Sequence, residues 1–259
     1  MAAVNGREAP IFTREGGAWR PDAEAAGPFA GLHGGAVSGL VIAEMEREGR
    51  ERGFGLLLSA SVLLLRPAPL APLETRTELL RKGGRAGVLE TVLVAEGKLI
   101  AKGWGSFVAP VAVADTPAEP PLPATPEALP PWPLKPRFHQ ATLFDALDLR
   151  SDGDGTIWGR LTRPLVPFES PLANAFAVAD NGQPFSLGSP HDLLRRLTFP
   201  NIDLALHLSR PPASDWIGVK AHSDWRPEGM GLTQSELRDE AGPLGRSCQT
   251  IVLMPREAR

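Results

Sequence analysis

The chain repeats itself. Residues 59–108 lie against residues 203–252 at a constant offset, 210 − 66 = 144, which sets Arg66-Pro67 on Arg210-Pro211. In that gapless register Gly87 meets Gly231, Leu93 meets Leu237, Glu96 meets Glu240, Lys102 meets Arg246 and Val108 meets Val252. Upstream the offset is 158 − 19 = 139, joining Trp19 to Trp158 and Pro28-Phe29 to Pro167-Phe168. The difference, 144 − 139 = 5 residues, is a net insertion between about 182 and 199. Two copies of one unit must fold as two similar modules, and any chemistry confined to one copy shows as a mismatch.

Composition narrows the class. Two modules in 259 residues leave roughly 110–130 residues each, enough for a core apiece. A hydrophobic content of 42% beside 22% charge describes a soluble globular chain. The net charge of −3 argues against a nucleic-acid binder. Met1-Ala-Ala-Val-Asn-Gly-Arg-Glu lacks the apolar run of a signal peptide, and no stretch approaches the ~18 apolar residues of a membrane span. A cytoplasmic protein is expected. One cysteine, Cys248, rules out an internal disulfide or a cysteine-based metal cluster.

The organisation reads as 1–110, a Pro-rich linker 111–138, and 139–259. The prolines from Pro110 to Pro136 exclude a helix or a central strand, so this joint is an extended strap on the surface. In module one a helix is predicted from Gly34 to about Arg52, with apolar Val37, Leu40, Val41 and Met45 and a stop at Gly53. Strands follow at Leu56–Leu65 (apolar enough to be buried on both faces), Leu73–Arg81, Gly87–Ala95 and Lys98–Ala109. Module two repeats the plan: strand Thr156–Thr162, a helix from Ser170 to about Ala179 with Pro171 in its first turn, then strands Ile202–Arg210, Trp216–Ser223, Gly231–Arg238 and Ser247–Met254. A further short helix is predicted in Gly182–Phe199, capped by Ser189 and carrying Leu193-Leu194. The fold class is α+β, with each module an antiparallel sheet wrapped around one central helix.

The broken matches point to chemistry. Ser59 faces Asp203, and Gly105 faces Gln249, so one copy has gained an acid and an amide inside apolar strands. Such groups are costly there unless hydrogen-bonded or open to a cavity. Together a carboxylate and an amide can hold and deprotonate one water. Against this stands a plain reading, with Asp203 capping a turn and Gln249 at a sheet edge. His33-Gly34-Gly35 opens the first helix, where exposed N–H groups and the helix dipole suit a developing oxyanion. Ser223 and Asp224 end a strand and are candidates for a further bond to the same water. Glu44 and Asp180, on the two helices, are candidate second carboxylates whose plainer reading is a solvated helix group, and Cys248 reads as a buried inert thiol. Arg66, Arg81, Lys82, Arg85 and Arg210 form a candidate phosphate-contacting rim. No histidine pair has metal-ligand spacing, and no nucleophile elbow occurs, which leaves activated water as the attacking group.

These residues in this order resemble the double-hotdog acyl-CoA thioesterases of the thioesterase II (TesB-like) type. The likeness rests on Pro28-Phe-Ala-Gly-Leu-His-Gly-Gly and Leu64-Leu-Arg-Pro in the first half. In the second it rests on Ile202-Asp-Leu-Ala-Leu-His-Leu-Ser-Arg-Pro, Asp215-Trp216, Gly231-Leu232 and Ser247-Cys-Gln-Thr. It implies an acyl-CoA substrate, no cofactor beyond the substrate's own CoA, Asp203 as general base, Gln249 as water-orienting partner and Gly34 or Gly35 as carbonyl donor. Ser223 or Asp224 would stand for the family's third polar residue. Homo-oligomers are compatible with exposed sheet edges. Two rivals remain open: an enoyl-CoA hydratase using Asp203 and His207, four residues apart on one strand face, and a non-catalytic acyl-CoA-binding protein.

Overall fold

The computed structural model describes residues 9–114, 123–135, 137–186 and 196–256. Its elements are β1 (Phe12–Glu15), β2 (Ala18–Pro21), α1 (Gly34–Glu51), β3 (Leu56–Leu64), β4 (Leu73–Lys82), β5 (Ala86–Ala95) and β6 (Lys98–Val108) in the first half. The second half has β7 (Leu147–Ser151), β8 (Thr156–Leu161), α2 (Pro171–Ala179), α3 (Gly182–Ser186), β9 (Leu197–Thr198), β10 (Asp203–Leu208), β11 (Ile217–Arg226), β12 (Met230–Asp239), β13 (Gly242–Val252) and β14 (Met254–Pro255). The repeat is visible to the residue. Adding 144 to the bounds of β4, β5 and β6 returns those of β11, β12 and β13: 73 + 144 = 217, 86 + 144 = 230 and 98 + 144 = 242.

All strands but β9 and β14 join one antiparallel sheet, ordered β1-β2-β4-β5-β6-β3-β10-β13-β12-β11-β8-β7. The two halves meet where β3 pairs with β10, Leu63 opposite Asp203 and Ser59 opposite His207. Each half curls around its own helix, giving the tandem hotdog architecture expected from the sequence. Glu96 and Gly97 both take positive φ (51° and 73°) in the β5–β6 hairpin, the backbone that a two-residue turn needs to match strand twist.

The two helices run antiparallel against each other inside the sheet. A Cβ on Gly35 would lie 2.8 Å from the Ala177 carbonyl oxygen, and one on Gly39 would lie 3.0 Å from that of Ala173. Glycine at these positions lets the helix backbones touch. Their apolar faces close a shared core with Leu40, Ile42, Met45, Phe176 and Val178, all fully buried.

Two expectations need correction. β3 alternates rather than being buried throughout: Leu57, Ala60 and Val62 face the core, while Ser61 and Leu63 are partly exposed. The Pro-rich joint does contain one 3-10 turn, Pro126–Ala128, because proline is acceptable in a first turn where its missing N–H has no partner to lose. That joint also packs firmly: Trp132 is buried, and Glu127 accepts a bond from Trp216 Nε1 at 3.0 Å. The predicted helix cap Ser189 and its Leu193-Leu194 lie outside the described residues.

Candidate active site

A cavity of about 490 Å³ opens where the start of α1 meets the end of α2. Its walls include Phe29, Phe138, Phe144 and Phe199, and its polar floor is His33, Gly34, Asp180 and Asn201. Phe29 and Phe199 meet edge to face at 5.9 Å, as do Phe199 and Trp225 at 5.7 Å. Leu65, Ile202 and Met254 border the same cavity and are exposed, so the mouth is apolar as well.

The carboxylate in this cavity belongs to Asp180, not Asp203. Asp180 is 5% exposed and caps the C-terminal end of α2. A negative charge there would oppose its own helix dipole, and donors from other elements surround the carboxyl group. Asn201 Nδ2 donates to Oδ1 at 2.7 Å and Gln249 Nε2 at 3.3 Å; Gln249 Nε2 also reaches the Asp180 carbonyl at 3.2 Å. Oδ2 faces the other way, 3.2 Å from His33 Nδ1 at the tip of α1. Because the helices are antiparallel, the acid that α2 disfavours sits at the positive end of α1.

The expected pairing of Asp203 with Gln249 fails on strand parity. In β10 Leu204, Leu206 and Leu208 are buried, which turns Asp203 and His207 to the outer face of the sheet. Asp203 accepts the Thr250 N–H at 2.6 Å, whereas Gln249 next to it is 1% exposed and faces inward. The Asp203–His207 pairing that supported a hydratase is likewise outside the cavity. Ser223 bonds Ser186 at 2.6 Å and Thr233 at 2.7 Å within the second module, and Asp224 is exposed beside His222. Neither contacts Asp180. Glu44 and Asp180 are buried rather than solvated, with Glu44 held by Arg47 and Thr75. Cys248 is exposed rather than buried; desolvation and the nearby Asp203 charge raise its thiol pKa.

The basic rim divides. Arg66 lines the cavity, exposed, with one guanidinium nitrogen on the Leu99 carbonyl at 2.7 Å. Arg81, Lys82 and Arg85 lie at the far end of the sheet, since the β4–β5 hairpin turns away from the Ala95 end that pairs with Leu73. Arg210 is tied to buried Asp239 by bonds of 2.7 and 2.6 Å, a structural pair rather than a ligand contact.

Two family models match the chain: the acyl-CoA thioesterase N-terminal domain over residues 23–109 and the acyl-CoA thioesterase C-terminal domain over residues 112–253. The chain belongs to the acyl-CoA thioesterase family. It is a thioester hydrolase. Its fold is shared with a protein from Novosphingobium aromaticivorans DSM 12444 named as a thioesterase (TM-score 0.71, 17% identity, 95% of this chain and 100% of that one). It is shared too with the acyl-CoA thioesterase II TesB2 of Mycobacterium marinum (TM-score 0.64, 20% identity, 96% of each chain). The tesB protein of Mycobacterium avium subspecies paratuberculosis is a third (TM-score 0.67, 15% identity, 94% and 96%). At these identities the likeness is one of fold. Among curated proteins none gives a significant match. No described helix is long and apolar enough to cross a membrane.

The equivalent tip of α2 is occupied by a carboxylate from α1. There Ser170-Pro171 replaces His33-Gly34, and Glu46 from α1 inserts its carboxylate. Glu46 accepts the Ser170 hydroxyl and the N–H groups of Leu172 and Ala173, each of those two at 3.4 Å. Burial pushes its pKa up, and these bonds only partly offset the rise. The donors that would polarise a carbonyl at this tip are already engaged.

Gln249 is positioned by a close approach. A Cβ on Gly182 would lie 3.0 Å from Gln249 Oε1 and 3.1 Å from Ser235 Oγ. Alanine normally favours a helix over glycine by about 1 kcal/mol, so Gly182→Ala should leave melting temperature little changed while displacing the amide. We expect kcat to fall about 10-fold, the scale of a sub-ångström misplacement; steady-state kinetics beside a thermal melt checks both halves.

Proposed function

We propose that the thioesterase hydrolyses acyl-CoA by direct attack of a water that Asp180 deprotonates. One observation carries this reading: a buried carboxylate, held by two carboxamides, lies in an apolar cavity against a helix tip. Water adds to the thioester carbon and its proton passes to Asp180. The carbonyl oxygen, now anionic, is stabilised by N–H groups in the first turn of α1, where an α-helix leaves donors without intrahelical partners. Collapse expels the CoA thiolate, which recovers the proton from Asp180. Asn201 and Gln249 fix the carboxylate and supply N–H donors around it. The reaction requires no cofactor besides the CoA of the substrate.

The Phe-rich cavity suits an uncharged acyl tail, since Arg66 at the rim is the lone lining cation among the described residues. That arginine is placed to meet a CoA phosphate. The cytoplasmic acyl-CoA pool is then the source of substrate. A panel of neutral acyl-CoA esters, from short to long chain, should release free thiol in proportion to enzyme. No release from any member would overturn the proposal.

A further inference from the structure

His33 Nδ1 stands between a fixed donor and a group that can either donate or accept. The Gly35 N–H donates to it at 3.0 Å, and Asp180 Oδ2 lies 3.2 Å away. An imidazole nitrogen presents either one lone pair or one proton in the ring plane. Bare, Nδ1 accepts from Gly35 and needs a proton on Asp180 Oδ2, because two lone pairs would otherwise face each other. Protonated, it donates to an Asp180 carboxylate and can no longer accept from Gly35.

We propose that one proton shared by His33 Nδ1 and Asp180 Oδ2 arms the site. Its transfer breaks the Oδ2–H bond and forms an Nδ1–H bond, with no other change in covalent structure. The transfer does two things together. It leaves Asp180 a carboxylate able to take a proton from water, and it releases the Gly35 N–H to the thioester carbonyl oxygen. A bound carbonyl competes with Nδ1 for that N–H, so substrate itself favours the armed form. This inference rests on the hydrolase reading above.

The surroundings support a shared proton. His33 and Asp180 are 7% and 5% exposed, so bulk water does not equalise the two states. The His33 ring is braced edge to face by Phe144 at 5.7 Å. Asn201 and Gln249, which hold Oδ1, are uncharged, and Arg66 lies out at the rim. The residue type also fits. Serine, asparagine or aspartate would be the favoured N-cap, but an oxygen acceptor would keep the Gly35 N–H permanently engaged. His33 is therefore a positioning residue that acts through Asp180 and Gly35.

The test uses the whole enzyme with 15N-labelled histidine and a 2-oxoalkyl-CoA thioether, which retains a carbonyl but cannot be hydrolysed. NMR should show Nδ1 of His33 bare in the free enzyme and protonated once the analogue saturates, with the Gly35 amide shifting in step. In Asp180→Asn, which has no such proton to give, Nδ1 should stay bare. His33→Asn, which still caps Gly35, should lose about 100-fold in kcat with KM little altered. An Nδ1 that keeps one state with and without analogue, or a His33→Asn variant with wild-type kcat, would overturn the inference. If the analogue shifts neither the Gly34 nor the Asn201 amide, nothing binds the cavity, and the hydrolase reading itself falls with it.

Discussion

Asp180→Asn is expected to lower kcat for acyl-CoA hydrolysis by about 100- to 10,000-fold, the contribution of a general base, while Asp203→Asn leaves it unchanged. The amide is nearly isosteric with the acid, and its oxygen can still accept from Asn201 Nδ2 and Gln249 Nε2, which bond Oδ1 at 2.7 and 3.3 Å. The loss should therefore appear in kcat and not in the melting temperature. Asp203 lies on the outer face of the sheet with its carboxylate on the Thr250 N–H, so its variant affects at most a surface hydrogen bond. Thiol release measured on both proteins, each checked by thermal melt, decides the matter. An active Asp180→Asn, or an inactive but folded Asp203→Asn, would remove Asp180 from the role assigned to it.

The second large effect is on stability. Arg210→Met should destabilise the protein by about 3 kcal/mol, the low end for stranding a buried charge because the arginine is itself partly exposed. The Asp239 side chain is fully buried, and that of Arg210 is 32% exposed. Without the guanidinium the carboxylate keeps, among the described residues, the N–H groups of Ala213 at 2.8 Å and Ala241 at 2.9 Å. The corresponding fall in melting temperature is about 6–12 °C for a chain of this size. Burial alone would raise the Asp239 pKa, but the Arg210 bonds and those two N–H groups outweigh it, and the net direction is down from 3.8. A carboxylate with a lowered folded pKa stabilises above its unfolded value and loses that contribution as pH falls through the folded one. The gap between wild type and variant should accordingly be widest at neutral pH and narrow below about pH 4. Melts at both pH values test this, and an unchanged KM for acyl-CoA at low temperature would confirm that Arg210 does not hold the substrate.

Much of the fold was legible because a repeat doubles every local signal. Trp19 with Trp158, Arg66-Pro67 with Arg210-Pro211 and the turn after β5 mark equivalent points in two copies, and the strand bounds follow the 144-residue offset closely. Gln249 was also legible, as an amide replacing Gly105. The missed residue had the same kind of signal. Counted from the helix starts, 171 − 34 = 137, Asp180 stands where module one has Ala43 (180 − 137 = 43), and at 201 − 144 = 57 Asn201 replaces Leu57. Module one fills the equivalent space with apolar groups: a Cβ on Gly105 would lie 2.6 Å from Leu57 Cδ1 and 3.1 Å from Met45 Sδ. An acid at a helix end reads as solvated when the helix is viewed alone, so local sequence favours Asp203 over Asp180.

The amino-acid sequence by itself determined the doubling, the sheet-and-helix plan of each half, and the presence of polar residues in one copy that the other lacks, because all three are written in local pattern and offset. Tertiary structure alone decided which acid faces the cavity. Strand alternation sends Asp203 outward by a single residue of parity, and the antiparallel contact of α1 with α2 brings Asp180 to the glycines of a helix that begins 180 − 34 = 146 residues earlier. Electrostatics at a helix tip depends on what lies across the contact, and no stretch of one strand or helix contains that information.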